Sequence, residues 1–211
     1  MSHIPTGIIK VREFDQPIDI SKGPLPPLFP LVTEYVPIEA GFGRGSIELG
    51  IPTANVPIDK LPSIVNTDKF KPGVYFGYCK LSPLSNNSTE YIKRKNHGSD
   101  TDSSHDHMVQ FNYGNELTFP EIHEIYPVVL SIGYNVFYGD LKKKTVELHL
   151  LHKFTKNFYG CLIKFNILGY IRPELNYTTK ENLIKDINID IDIAQKVLST
   201  DYFAKYKTMV Q

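Results

Sequence analysis

Thr53 and Asn55 close the stretch Gly-Phe-Gly-Arg-Gly-Ser-Ile-Glu-Leu-Gly-Ile-Pro-Thr-Ala-Asn, residues 41–55, which carries four glycines ahead of them. Residues two apart in an extended segment share a side, so the Thr53 hydroxyl and the Asn55 amide oxygen form a pair of hard oxygen donors. Mg²⁺ takes such ligands and keeps waters and substrate phosphate oxygens besides, so two protein donors suffice. Gly41, Gly43 and Gly45 leave the backbone free for positive φ, and their successive amides can form an anion-binding nest. Phosphate is the natural occupant. The spacing is not that of a Walker A loop, since no Gly-Lys-Ser/Thr follows, and Ser46 stands where G-x-G-x-x-G needs its third glycine. His-Arg-Asp and Asp-Phe-Gly, the protein-kinase companions, are absent. On the glycine spacing alone a tight barrel turn is favoured over a nucleotide loop, and an Asn capping a turn beside a strand Thr is an equally ordinary reading of Thr53 and Asn55.

A second group lies in Thr-Val-Glu-Leu-His-Leu-Leu, residues 145–151. Period-two alternation puts Val146, Leu148 and Leu150 on one face and Thr145, Glu147 and His149 on the other. One strand therefore offers a carboxylate and an imidazole together. Proton transfer needs one base, which makes Glu147 the candidate and His149 a supporting hydrogen-bond partner. Lys142-Lys143-Lys144 reads as an exposed turn. His105-Asp106-His107 has no third spaced ligand or cysteine beside it, and reads as part of a solvated hairpin loop rather than a metal site.

The elements that position these groups follow from punctuation. Residues 21–30 hold four prolines, so residues 1–30 read as an extended arm. From Leu31 to about Arg172, short apolar or alternating runs sit between Gly, Pro and Asn, the pattern of antiparallel strands closed into a small barrel. The polar stretch 82–107 lacks the apolar residues needed to order itself. Leu183, Ile187, Ile191, Ala194 and Leu198 then recur at helical spacing, with Thr178 and Glu181 as a capping box. The domain is expected over 31–198, with 199–211 as a tail.

The chain has 211 residues with 23 basic and 23 acidic side chains, so it shows no electrostatic footprint for nucleic acid. No apolar run reaches membrane-spanning length. Cys79 and Cys161 lie inside apolar segments, which suits buried thiols in a reducing compartment, and a cytoplasmic monomer is expected.

Taken in order, the glycine stretch ending in Pro-Thr-Ala-Asn, Gly-Val-Tyr-Phe-Gly-Tyr (73–78), Ser-Ile-Gly-Tyr-Asn (131–135), Val-Glu-Leu-His-Leu-Leu-His-Lys-Phe (146–154), Phe-Tyr-Gly (158–160) and Gly-Tyr-Ile-Arg-Pro-Glu-Leu-Asn-Tyr (169–177) resemble the riboflavin kinases. The resemblance spans about residues 37–198. It implies a mainly β fold, a six-stranded antiparallel Greek-key barrel with a C-terminal helix across it, and phosphorylation of riboflavin by ATP to give FMN and ADP. It also implies Mg²⁺, with Zn²⁺ or Mn²⁺ as alternatives, held by Thr53 and Asn55. Gly41, Ile47, Leu150, His152 and Tyr159 match nucleotide positions, Glu147 the catalytic carboxylate, and Arg172, Leu175 and Tyr177 the flap over the flavin. The 36 residues ahead leave no room for the nucleotidyltransferase domain of bifunctional relatives, so a monofunctional kinase is expected. Val136 stands where the family usually has proline. The rival reading is a non-catalytic flavin- or nucleotide-binding barrel.

Overall fold

A computed structural model describes residues 28–41, 50–94, 107–134, 144–175, 177 and 179–211. The architecture is mainly β and antiparallel. Strands β1 (Leu31–Val32) and β2 (Val36–Pro37) both pair with β9 (Leu162–Ile167), and the sheet continues through β4 (Gly73–Ser82), β7 (Tyr126–Tyr134) and β8 (Lys144–Leu150) to β3 (Ala54–Val56). Just past β2, the Glu39 amide donates to the Asn55 carbonyl at 2.8 Å. That isolated bridge links β3 to the segment after β2, which pairs with β9, and the sheet curls round into a barrel-like form. Strand β10 (Gly169–Arg172) runs on from β9 after Leu168 and pairs with the first half of β4.

The sheet has two cores because it is covered on two faces. Alternate residues of β7, β8 and β9, among them Leu130, Ile132, Leu148 and Ile163, fill the barrel interior. On the outer face Val74, Phe76, Tyr78 and Val129 pack against helix α2 (Lys180–Leu198) and the C-terminal turns through Ala194, Leu198, Phe203 and Val210. This double cover explains why β4 is apolar without alternation. Residues 201–210, expected as part of a tail, form a short helix α3 (Asp201–Ala204) and a 3₁₀ turn, with Phe203 and Val210 buried.

Three details depart from the sequence reading. The α2 cap is Thr179, whose hydroxyl accepts from the Asn182 amide at 3.2 Å, one residue later than the expected box; Thr178 lies outside the described residues. Within the polar stretch, β5 (Glu90–Arg94) and β6 (His107–Phe111) pair as a ribbon. Its start is tied down by the Tyr113 hydroxyl donating to Glu90 and the Asn115 amide donating to the Asn87 carbonyl, contacts that composition does not reveal. His105 is outside the described residues, as are Ile47, Lys142, Lys143, Asn135 and Val136.

Lys144 is the third correction. Instead of sitting on an exposed turn it is 2% exposed, and its ammonium donates to the carbonyls of Val65, Thr67 and Phe70 at 3.1, 2.7 and 2.5 Å. Those carbonyls end a 3₁₀ turn, Ser63–Asn66, and the loop after it. A point charge with three donors closes that loop onto the start of β8. Lys144→Met is expected to destabilise the fold by about 2–4 kcal/mol, since buried carbonyls lose their charge-assisted donor. Urea unfolding reads this directly, and an unchanged midpoint would refute the role given to the lysine.

Candidate active site

Register brings the chemistry together. On β8, Glu147 lies opposite Ser131 of β7 on one side and opposite Asn55 of β3 on the other. Directly paired residues share a face, so Asn55 and Glu147 both stand on the outer face of the barrel, while their neighbours Ala54 and Leu148 fill its interior. Thr53 precedes β3, and its hydroxyl donates to Glu147 Oε2 at 3.4 Å. Residues 94 positions apart in the chain are thus neighbours. Gly41 lies against Asn55: a Cβ there would come within 2.5 Å of Asn55 Nδ2. Here the glycine is needed for close approach, which adds a packing reason to its expected place by the nucleotide.

Burial pushes the Glu147 carboxyl above the usual carboxylate range, with the Thr53 hydroxyl acting in the opposite sense. His149 does not bond to Glu147. Its Nδ1 lies 2.8 Å from the Pro52 carbonyl, and since a carbonyl only accepts, Nδ1 carries the hydrogen. Burial lowers the imidazole pKa, so the ring is neutral and Nε2 is an acceptor. The histidine thereby pins the segment that delivers Thr53.

Two clefts meet here. The larger, about 840 Å³, is walled by Leu150, His152, Phe154, Phe158 and Tyr159, with Thr53 and His149 at one end. The smaller, about 320 Å³, lies between the outer faces of β7 and β8 and helix α2 and is lined by Glu147, Arg172, Glu174, Leu175 and Tyr177. Thr53 and His149 line both. The structure therefore sorts Leu150, His152 and Tyr159 onto one cleft and Arg172, Leu175 and Tyr177 onto the other. His152 sits against Tyr126 and Phe154, ring centroids 4.9 and 4.6 Å away, and its Nε2 lies 3.8 Å from Glu121.

The Arg172 guanidinium is already engaged. Nε donates to both Asp190 oxygens at 3.0 and 2.9 Å, Nη2 donates to Asp190 Oδ2 at 2.7 Å, and Nη1 donates to the Pro173 carbonyl at 3.1 Å. Tyr177 donates to Asp186 at 2.6 Å. Sequence reasoning missed Asp186 and Asp190, which are 3% and 1% exposed on the buried side of α2. Their spacing of four, in phase with the flanking apolar stripe, was the available signal. Glu174, also missed, packs its carboxylate over Gly133.

A barrel with two adjoining clefts and a half-buried carboxylate beside their meeting point is the layout of a two-substrate enzyme. The family model for riboflavin kinase, also called flavokinase, matches residues 35–198. A riboflavin kinase of Eremothecium gossypii is 51% identical over 94% of this chain and 98% of its own length. One from Kluyveromyces lactis is 50% identical over 90% and 95%, and one from Saccharomyces cerevisiae 48% identical over 93% and 84%. The crystal structure of riboflavin kinase from Trypanosoma brucei shares the fold, with a TM-score of 0.53 at 22% identity over 85% of this chain and 87% of that one. The chain belongs to the riboflavin kinase family.

The half-buried carboxylate has a measurable consequence for stability. Because the folded state raises the Glu147 pKa, it binds that proton more tightly than the unfolded chain. The group's contribution is then fully present below the unfolded pKa and is lost as pH rises through the folded value. Glu147→Gln is therefore expected to be more heat-stable than wild type near neutral pH, with the gap closing as pH falls below the ordinary glutamate range. Thermal melts across pH test this; a variant that melts lower at neutral pH contradicts it.

Proposed function

We infer that this chain transfers the γ-phosphate of ATP to the ribityl 5′-hydroxyl of riboflavin, giving FMN and ADP. The observation that carries the reading is the junction of the two clefts at Thr53 and His149, beside the half-buried Glu147, in a chain of this family. ATP as co-substrate and a divalent metal follow from family membership.

In this reading ATP takes the larger cleft. Leu150, His152 and Tyr159 receive its base, and Gly41 and Ile47 lie along the phosphates, Ile47 through its backbone. Riboflavin takes the smaller cleft, with Leu175 and Tyr177 against the ring. Arg172 supports the flap from its Asp190 ion pair. Glu147 orients the 5′-hydroxyl and accepts its proton, a task suited to a carboxylate whose pKa is raised toward neutrality. Phosphoryl transfer asks mainly for position and electrostatics, and rigid strands supply the position.

The donor set fits a hard cation: the Thr53 hydroxyl and the Asn55 amide oxygen stand beside a carboxylate, with no sulfur. Among the described residues no group of three or more His, Cys, Asp and Glu side chains could hold a metal, which fits an ion bound jointly with substrate oxygens. Thr53 and Asn55 would hold it, and Mg²⁺ is the reading, with Zn²⁺ or Mn²⁺ as alternatives. When bound, such an ion would neutralise phosphate charge during the transfer.

The domain is read as residues 31–198 and the protein as a cytoplasmic monomer, in keeping with two buried free thiols; among the described residues no helix is long and apolar enough to cross a membrane. A non-catalytic binding barrel would leave the partial burial of Glu147, which raises its pKa, without a task. Incubation with riboflavin, ATP and Mg²⁺ followed by chromatography decides between them: FMN forms, or the enzyme reading falls.

Glu147→Gln is expected to lower kcat by about 10²–10⁴ while riboflavin still binds. The wild-type rate should decline as pH falls, since the base works deprotonated, with its midpoint above the ordinary glutamate range, and the variant should lack that limb. Turnover within a factor of about two of wild type, far below a general-base effect, removes Glu147 from the mechanism. Thr53→Ala and Asn55→Ala should each raise the metal concentration needed for half-maximal rate without abolishing riboflavin binding. A metal titration matching wild type in both variants overturns that assignment.

A further inference from the structure

Glu174 occupies a place that the fold has cleared for it. Gly133 lies on the outer face of β7, two residues beyond Ser131, which pairs with Glu147. The Glu174 carboxylate lies so close over Gly133 that any Cβ there would collide with both of its oxygens. The backbone amide of Tyr134 donates to it. A carboxylate reaching back from the segment after β10 is thus seated on bare backbone, inside the cleft that also holds Glu147.

Its position relative to Glu147 follows from sheet geometry. Gly133 is the diagonal neighbour of Glu147 across the β7–β8 pair, and such neighbours lie about 7–8 Å apart. Two carboxylates are therefore spaced along one cleft, on the same outer face as Ser131. The rest of the lining supplies apolar surface through Ile51, Val74, Leu175, Leu183 and Ile187. Burial raises the Glu174 carboxyl pKa, the Tyr134 amide and the charge of Arg172 oppose that, and the charge of Glu147 adds to it. A carboxylate so placed gains from further hydrogen-bond donors.

The proposed function, on which this inference rests, uses Glu147 for the terminal hydroxyl alone. A ribityl chain carries three more hydroxyls between that end and the flavin ring, and each must find an acceptor or lose its water without compensation. We propose that Glu174 is a specificity-determining residue that accepts hydrogen bonds from the secondary hydroxyls of the ribityl chain, so that the cleft selects a polyhydroxylated chain rather than any flavin ending in an alcohol. A site built to bond a substrate hydroxyl discriminates against an analogue lacking it, because its own polar group is left unpaired.

The test compares riboflavin with a flavin bearing a 5-hydroxypentyl chain, which keeps the terminal hydroxyl and lacks the other three. Wild-type protein is expected to favour riboflavin in kcat/KM by about ten- to hundredfold, the range of a hydrogen bond to a charged group. Glu174→Ala should collapse that preference by lowering kcat/KM for riboflavin while leaving the analogue nearly unchanged. Glu174→Gln keeps the shape and an oxygen for the Tyr134 amide, and should show a smaller loss in the same direction, which serves if the alanine variant does not fold. A role in anchoring the segment would lower both substrates equally and preserve the ratio, and that result overturns the proposal, as does a wild type that does not discriminate. Absence of FMN formation by the wild type would instead overturn the kinase reading itself.

Discussion

The site depends on the register between β3 and β8. Three residue pairs hold it, Ala54 with Leu148, Asn55 with Glu147 and Val56 with Val146, and the Glu39–Asn55 bridge locks the far side of β3. A slip of one residue would send Asn55 into the barrel and Ala54 out, since alternate side chains face opposite ways. Ala54 and Val56 oppose that slip because both are buried in the core. The apolar side of a three-residue strand therefore fixes where its polar side points. Gly41 adds a second lock by leaving room for the Asn55 amide.

The opposite wall of the smaller cleft is held by ions as well as by apolar packing. Helix α2 buries Asp186 and Asp190 one turn apart, and they engage Tyr177 and Arg172. Removing either member of the Arg172–Asp190 pair would leave a buried charge without its counter-ion, which costs far more than the pair contributes. The fork of three bonds also fixes the direction in which residues 173–177 leave β10. Thus one helix face has two tasks: Ala194 and Leu198 seal the outer core, while the turns before them orient the segment beside the substrate cleft.

Most of the fold was legible because its signals are local. Alternation in 145–151 gave the two faces of β8, and helical spacing gave α2. Part of the site was legible for the same reason: Thr53, Asn55, Glu147 and His149 are polar residues at the wrong or right parity of short strands. What sequence could not reveal depends on distant partners. Lys144 looked exposed in a run of three lysines, yet its acceptors are carbonyls about 75 residues earlier. Its burial is set by a loop end, not by its neighbours. Likewise the two aspartates of α2 have their partners outside the helix, a guanidinium from β10 and the Tyr177 hydroxyl, which no local pattern names.

The meeting of the clefts at Thr53 and His149 constrains the chemistry more than either cleft alone. Transfer in line requires the attacking hydroxyl and the phosphorus to approach closely along one direction. A hinge between two separate binding lobes would have to close to produce that alignment. In this barrel both clefts are lined by neighbouring residues of β8, Glu147 and His149 in the smaller and Leu148 to Leu150 in the larger, so the two are fixed relative to each other by strand hydrogen bonds. The neutral His149, bonded to the Pro52 carbonyl, extends that rigidity to Thr53, which lies just outside β3. A protonated ring would add charge between the half-buried Glu147 carboxylate and the oxygens of Thr53 and Asn55, and burial disfavours it. Keeping the imidazole neutral suits the proposed role of Glu147 as the proton acceptor, while the strands around it hold still.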